Sequence, residues 1–183
     1  MTLNPEGKPV ALWRAVFGEN VRDHAIAELS LDGKTTNVKR ATFEEWKVDA
    51  CPHHGPSLAF SSSGRRHQVW FNVKDEQGEV FYTSANPEGQ SNAPVVLGKG
   101  QAEHGEVAVL GDKVVLVWKE FDGTATGLFG RISEDGGARW HDKQFASTQG
   151  ASDQPHLVAK GNCILLTWKT LKEGMKVIPV VFA

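Results

Sequence analysis

The apolar residues of this chain gather in four short runs, each centred on a tryptophan. They are Val10-Ala-Leu-Trp13-Arg14, His67-Gln-Val-Trp70-Phe71, Val114-Val-Leu-Val-Trp118-Lys119 and Cys163-Ile-Leu-Leu-Thr-Trp168-Lys169. Runs this short and almost continuously apolar predict strands buried on both faces. A shorter run precedes each of the last three, at residues 56–60, 106–110 and 155–159, and Gly64, Gly111 and Gly161 mark the hairpin turns between. A third strand follows every tryptophan run (25–30, 79–84, 127–133 and 175–182), and a fourth closes the first three groups (38–41, 94–97 and 143–147). Helix is scarce: only Thr42-Phe-Glu-Glu45 fits a capping box, which predicts one helical turn over 43–48.

The tryptophans stand 57, 48 and 50 residues apart, the period of a four-stranded propeller blade. With strands labelled A to D from inner to outer, the chain reads BCD, ABCD, ABCD, ABC. The predicted fold is all-β: one domain of about three and a half blades, at residues 9–41, 55–97, 105–147 and 154–183. Such a stack leaves apolar faces and strand edges open at both ends. It closes as a small four-bladed ring with residues 1–8 as the missing strand, as a ring of two copies, or as the second half of a longer propeller. Cys163, inside an apolar run, reads as a small core residue.

Between the third and fourth strands of the third group lies Ser133-Glu-Asp135-Gly136-Gly137-Ala-Arg139-Trp140. Serine and aspartate two apart bond back to nearby amides, glycine accepts positive φ, and the indole folds under the turn. Ser84-Ala-Asn86-Pro-Glu-Gly89 is a looser version of this turn, and Ser30-Leu31-Asp32-Gly33 looser still.

Composition narrows the partners. Twenty Lys and Arg against 22 Asp and Glu argue against nucleic acid. No run of eighteen apolar residues spans a membrane, and residues 1–7 lack the basic and apolar regions of an export signal. Two cysteines, Cys51 and Cys163, make neither a disulfide framework nor a zinc knuckle.

The 133–140 turn resembles the Asp-box of sialidase-type propellers, through Ser133, Asp135, Gly137 and Trp140, with Arg139 where threonine is usual. With Leu12-Trp-Arg14, Val21-Arg-Asp-His24 and Asp49-Ala-Cys51-Pro-His-His54-Gly-Pro56, nearly the whole chain is similar to the later blades of bacterial exo-sialidase-like (BNR-repeat) proteins. The resemblance implies an exported protein whose full-length members carry a preceding half. It implies Asp-box turns on one end of the ring and ligand chemistry at the other, where D-to-A and B-to-C loops surround the channel mouth.

On that frame the D-to-A loops carry Cys51, His53, His54, then Glu103 and His104, then Asp153, with His156 just inside its strand. The B-to-C loops carry Arg22, Asp23 and His24, then Lys74, Asp75 and Glu76, then Glu120 and Asp122. Five of the seven histidines fall on this rim, and imidazole suits metal ligation and proton transfer near neutrality. The ligand candidates are therefore Arg22, Asp23, His24, Cys51, His53, His54, His104 and Asp153, and a divalent metal is the one cofactor suggested, at His53, His54 and His104. His53 and His54, adjacent on an extended segment, point to opposite sides, so at most one faces the channel. Arg22 and Asp23 also read as a simple pair within their loop.

A retaining sialidase needs an arginine triad, an acid and a tyrosine nucleophile assisted by glutamate. The only tyrosine is Tyr82, with Glu79 the sole acid near it and Asp23 the rim acid; Arg14 and Arg131 are the strand-borne arginines available as clamps. The early-blade arginine motif is absent. The sequence thus points first to a binding or scaffold module for a glycan or small anionic ligand, forming a homodimer that completes the ring. The alternative is an exo-sialidase-type hydrolase completed by a second chain or a missing half.

Overall fold

The computed structural model describes residues 1–182 apart from Leu31 and Gly33. Among these residues all regular structure is strand, arranged as four antiparallel sheets. Sheet 1 holds β1 (Thr2–Leu3), β2 (Pro9–Arg14), β3 (His24–Leu29) and β4 (Thr35–Arg40). Sheet 2 holds β5 (Ser57–Phe60), β6 (Arg66–Lys74), β7 (Gln77–Ala85) and β8 (Val95–Leu97). Sheet 3 holds β9 (Ala102–Leu110), β10 (Lys113–Phe121), β11 (Thr126–Ser133) and β12 (His141–Thr148). Sheet 4 holds β13 (His156–Lys160), β14 (Cys163–Thr170) and β15 (Gly174–Pro179). Each sheet is a plain meander in chain order.

Two sequence expectations change here. The first sheet, read as BCD, does have a strand before β2, within the 1–8 segment that one of the three closures uses as the missing strand: Thr2 lies opposite Val10 and Leu3 opposite Pro9. And the segment after β4 forms no helical turn. Glu45 adopts a left-handed φ of 58°, which ends a right-handed helix, and its N–H donates to the Asp23 carboxylate. Thr42 Oγ1 accepts from the His24 backbone N–H at 2.9 Å. Both ends of the anticipated capping box are taken by tertiary partners.

The sheets pack face to face in chain order around three apolar layers. Val10, Leu12 and Ile26 meet Leu58 and Phe60 between sheets 1 and 2. Val69, Val80 and Leu97 meet Val107, Val114, Leu116 and Trp118 between sheets 2 and 3. Val115, Val117, Leu128 and Ile132 meet Ile164, Leu166 and Trp168 between sheets 3 and 4. In β10, Val114 through Val117 are wholly buried, because both faces of sheet 3 are covered. At about 1.5–3 kcal/mol for each aliphatic side chain so buried, this strand anchors the stack. The tryptophan strand of sheet 4 behaves differently: Ile164, Leu166 and Trp168 are buried while Leu165 and Thr167 are half-buried. Among the described residues only one of its faces has a neighbour. That is why Cys163 is exposed rather than a core residue.

The inner strands are also stitched together by polar bonds. Ser57 Oγ accepts from the Val107 N–H (3.1 Å), and Glu106 Oε2 accepts from the Leu157 N–H (2.6 Å). Ser57, Glu106 and His156 precede the aligned positions Leu58, Val107 and Leu157 in successive sheets. β5 and β9 thus each offer a side chain to the backbone of the first strand of the next sheet.

Candidate functional site

Even numbers of strands in a meander bring first-to-second and third-to-fourth connections to one end and the others to the opposite end. The first set is visible as a cluster of tight turns. Gly136 N–H donates to Asp112 O (2.8 Å), joining two turns of sheet 3. In the 133–140 turn, Ser133 Oγ accepts from the Gly137 N–H (2.9 Å) and Asp135 Oδ1 from the Ala138 and Arg139 N–H groups. Gly136 and Gly137 have φ of 67° and 90°, and Trp140 Nε1 donates to Gly137 O (2.9 Å). Arg139 Nε bonds Asp135 Oδ2 at 2.7 Å, which holds that carboxyl well below its usual range. Asn86 accepts from the Gln90 N–H in the corresponding turn of sheet 2. In sheet 1 Ser30 Oγ bonds Asp32, while Leu31 and Gly33 of that anticipated turn lie outside the described residues.

Tyr82 belongs to this end. Its hydroxyl is hydrogen-bonded to His67 Nδ1 (2.8 Å) and its ring meets Trp140 edge-on at 5.4 Å. Burial pushes the phenol up to about 12, so it stays protonated at neutral pH. Tyr82 faces sheet 3, whereas Glu79 lines a cavity with Phe81 and Thr83 on the opposite face of β7. The two are not brought together.

The opposite end carries the rim residues, and they divide into three groups. The first is a buried network between sheets 1 and 2. Asp23, wholly buried, pairs with Arg40 and not with Arg22, and accepts from Asn72 Nδ2 at 2.9 Å. Asn72 Nδ2 also donates to Glu44 Oε2 (3.0 Å), which accepts from Trp70 Nε1 (3.1 Å). His24, also wholly buried, has Nδ1 within 3.1 Å of Thr42 Oγ1, and burial lowers it to about 3. Asp23 and His24 therefore face the packed sheet interface. Arg14 serves the same junction, donating to the carbonyls of Arg22, His54 and Phe71. Arg131, the other strand arginine, is paired with Asp142 at 2.7 Å on an outer strand.

The second group is a cavity of about 440 Å³ lined by Arg14, Arg22, Asp49 and Cys51. Arg22 is positioned there by its Nε, which donates to Val48 O (3.2 Å), and by its backbone N–H, which donates to Trp46 O (2.7 Å).

The third group joins sheets 2 and 3. His54 is stacked between Phe71 (ring centroids 4.1 Å apart) and His104 (4.4 Å), while His53 is exposed. The ligand atoms of His54, Glu103 and His104 all lie within 4.8 Å of one another. Glu103 and His104 sit inside β9 rather than in the loop before it. There an extra residue breaks the register with β10 between Val117 and Lys119, and His104 takes a left-handed φ of 53°. Lys119 Nζ holds Glu103 Oε1 at 3.0 Å. Burial lowers both imidazoles, His104 to about 4, so they are neutral donors at physiological pH.

Asp153 stands apart, exposed beside Lys169 at 3.8 Å. His156 pairs with Glu106 (3.7 Å) and shares with His104 a cavity of about 390 Å³ at the starts of β5, β9 and β13. Glu103 was placed on the rim from sequence but not among the ligand candidates, and Lys119, Asn72 and Glu44 were not singled out. A polar residue closing each apolar tryptophan run, Asn72 and Lys119, was the available signal. Comparison of the chain with protein-family models and with curated protein sequences finds no match to either.

Proposed function

We propose that the four sheets are consecutive blades of a sialidase-like propeller, and that the chain is a binding module for a glycan or other small anionic ligand. The observation that carries this reading is the cavity where Arg14 and Arg22 meet Asp49 and Cys51, beside the His54 loop. Guanidinium forks suit carboxylates, which they bind bidentately. Arg14 is engaged by the carbonyls of Arg22, His54 and Phe71, so Arg22 is the clamp here, and an adjacent acid suits sugar hydroxyls. A hydrolase reading finds less support, since Tyr82 is packed beneath a turn and separated from Glu79. Calorimetric titration with sialic acid is the test. Saturable binding that weakens at least about tenfold in Arg22→Ala, a loss of about 1.4 kcal/mol, is expected. Binding indifferent to that change, or turnover of a fluorogenic sialoside that Tyr82→Phe abolishes, overturns it.

A second copy completes the ring in this reading. The stitching series Ser57, Glu106, His156 ends on an exposed histidine that holds no further strand among the described residues. The uncovered face of sheet 4 sets Val158, Leu165 and Pro179 side by side. On the face of sheet 1 turned from sheet 2, Ala11 lies opposite Ala27 and Trp13 opposite Ala25, and Ala11 and Trp13 keep partial exposure there. Light scattering is expected to give twice the 20.0 kDa chain mass; a soluble monomer refutes the second copy.

A further inference from the structure

We propose that His54, Glu103 and His104 form a binding site for a divalent transition-metal ion of the zinc class. This goes beyond the anionic-ligand reading and does not depend on it.

The argument begins with the backbone. Adjacent residues of a regular strand point to opposite sides, so Glu103 and His104 would ordinarily diverge. The bulge in β9 and the left-handed φ of 53° at His104 turn them to one side, with His104 Nε2 3.7 Å from Glu103 Oε2. A left-handed histidine is strained where glycine would not be, and bulges recur where a side chain is re-aimed towards a site. A separate loop, the one before β5, delivers His54 to the same point. His54 Nδ1 is buried without a hydrogen-bond partner among the described residues, a state that few buried polar atoms show.

The donor set then selects the ion. Two imidazoles and one carboxylate match zinc, cobalt or nickel, whereas calcium and magnesium prefer all-oxygen shells. Lys119 occupies only Oε1 of Glu103, leaving Oε2, the oxygen nearer His104, for the ion. Ligands about 2.1 Å from a tetrahedral metal stand about 3.4 Å apart. The present separations, none above 4.8 Å, close by turning one of the stacked rings. Three protein donors leave a coordination position open to water or ligand.

The untagged chain, stripped with chelator, is titrated with Zn²⁺ by calorimetry and with Co²⁺ by visible absorption. One ion per chain is expected, with a tetrahedral Co²⁺ spectrum. His54→Ala, Glu103→Gln and His104→Gly should each weaken binding at least about tenfold, while His53→Ala and Asp153→Asn leave it unchanged. His104→Gly suits the left-handed backbone, so a folded variant that has lost only the donor is available. Lys119→Met removes a competing ammonium and should tighten binding. No saturable binding below about 1 mM, or equal loss in His53→Ala, overturns the proposal. Because these are metal readouts, they succeed or fail independently of sialic acid binding.

Discussion

Gly105 is the residue on which the contact between sheets 2 and 3 turns, and Gly105→Ala tests that packing directly. A Cβ at this position would sit 2.4 Å from Val69 Cγ1 and 2.5 Å from Val80 Cγ1. Carbon atoms rest at about 3.5–4.0 Å, so each methyl would have to retreat by more than about 1 Å. Neither can do so easily. Both valines are wholly buried, both are stiff at χ1, and both stand on strands hydrogen-bonded on either side. Overpacking of this kind costs about 3 kcal/mol. The backbone of Gly105 does not need positive φ, so alanine recovers up to about 1 kcal/mol through the unfolded chain. The net loss is then about 2 kcal/mol, or about 4–8 °C in Tm for a chain of this size. Urea and thermal unfolding measure it, with Gly55→Ala as the control. Gly55 has open space around it and ordinary φ, so its substitution should be neutral. A Gly105→Ala chain melting within about 1 °C of the parent would refute the claim that β9 lies this close to β6 and β7.

Two other perturbations address the polar interior. Asp23→Asn leaves Arg40 without its buried counter-charge and should lower the urea-derived stability by about 2–4 kcal/mol, reduced from the fully buried case because Arg40 reaches solvent; an unchanged midpoint would mean that the network does not hold sheets 1 and 2. Acid should destabilise the fold through His24 and His67, which burial lowers to about 3 and about 4 from the usual 6.5. Unfolding lets both take up protons, so stability is full above about pH 6.5 and falls towards pH 4, by at most about 1.4 kcal/mol per pH unit for each histidine. His67→Gln should flatten that slope in urea midpoints measured across the window, and an undiminished slope would remove His67 from the account.

Much of the sheet pattern can be read from the chain because the period of a buried strand is local. Tryptophan runs at 13, 70, 118 and 168, the glycines between hairpins, and the serines ending third strands each follow from neighbours in sequence. The Ser133–Trp140 turn is legible for the same reason, since all its side-chain hydrogen bonds close within eight residues. Where the sequence misled, a distant partner had intervened. Thr42 and Glu45 look like a capping box until His24 and Asp23, some twenty residues earlier, take their polar groups. Cys163 looks like core until one notices that sheet 4 has a neighbour on only one face. Thr2 and Leu3 carry too little pattern to announce a strand, and are one because β2 offers them an edge.

The rim shows the same division. Histidines 53, 54 and 104 could be named from residue type, but strand alternation alone could not say which would converge. The left-handed turn at His104 and the bulge in β9 decided that, bringing Glu103 and His104 to one side with His54 stacked on His104. Asp23 and His24, which sequence set on an open rim, went instead into a buried junction with Arg40, Asn72 and Thr42. Local hydrophobic rhythm determined that this chain makes repeating antiparallel sheets. Which polar groups stay available for chemistry was decided only by tertiary contact, because burial and long-range hydrogen bonding depend on partners that the local sequence does not contain.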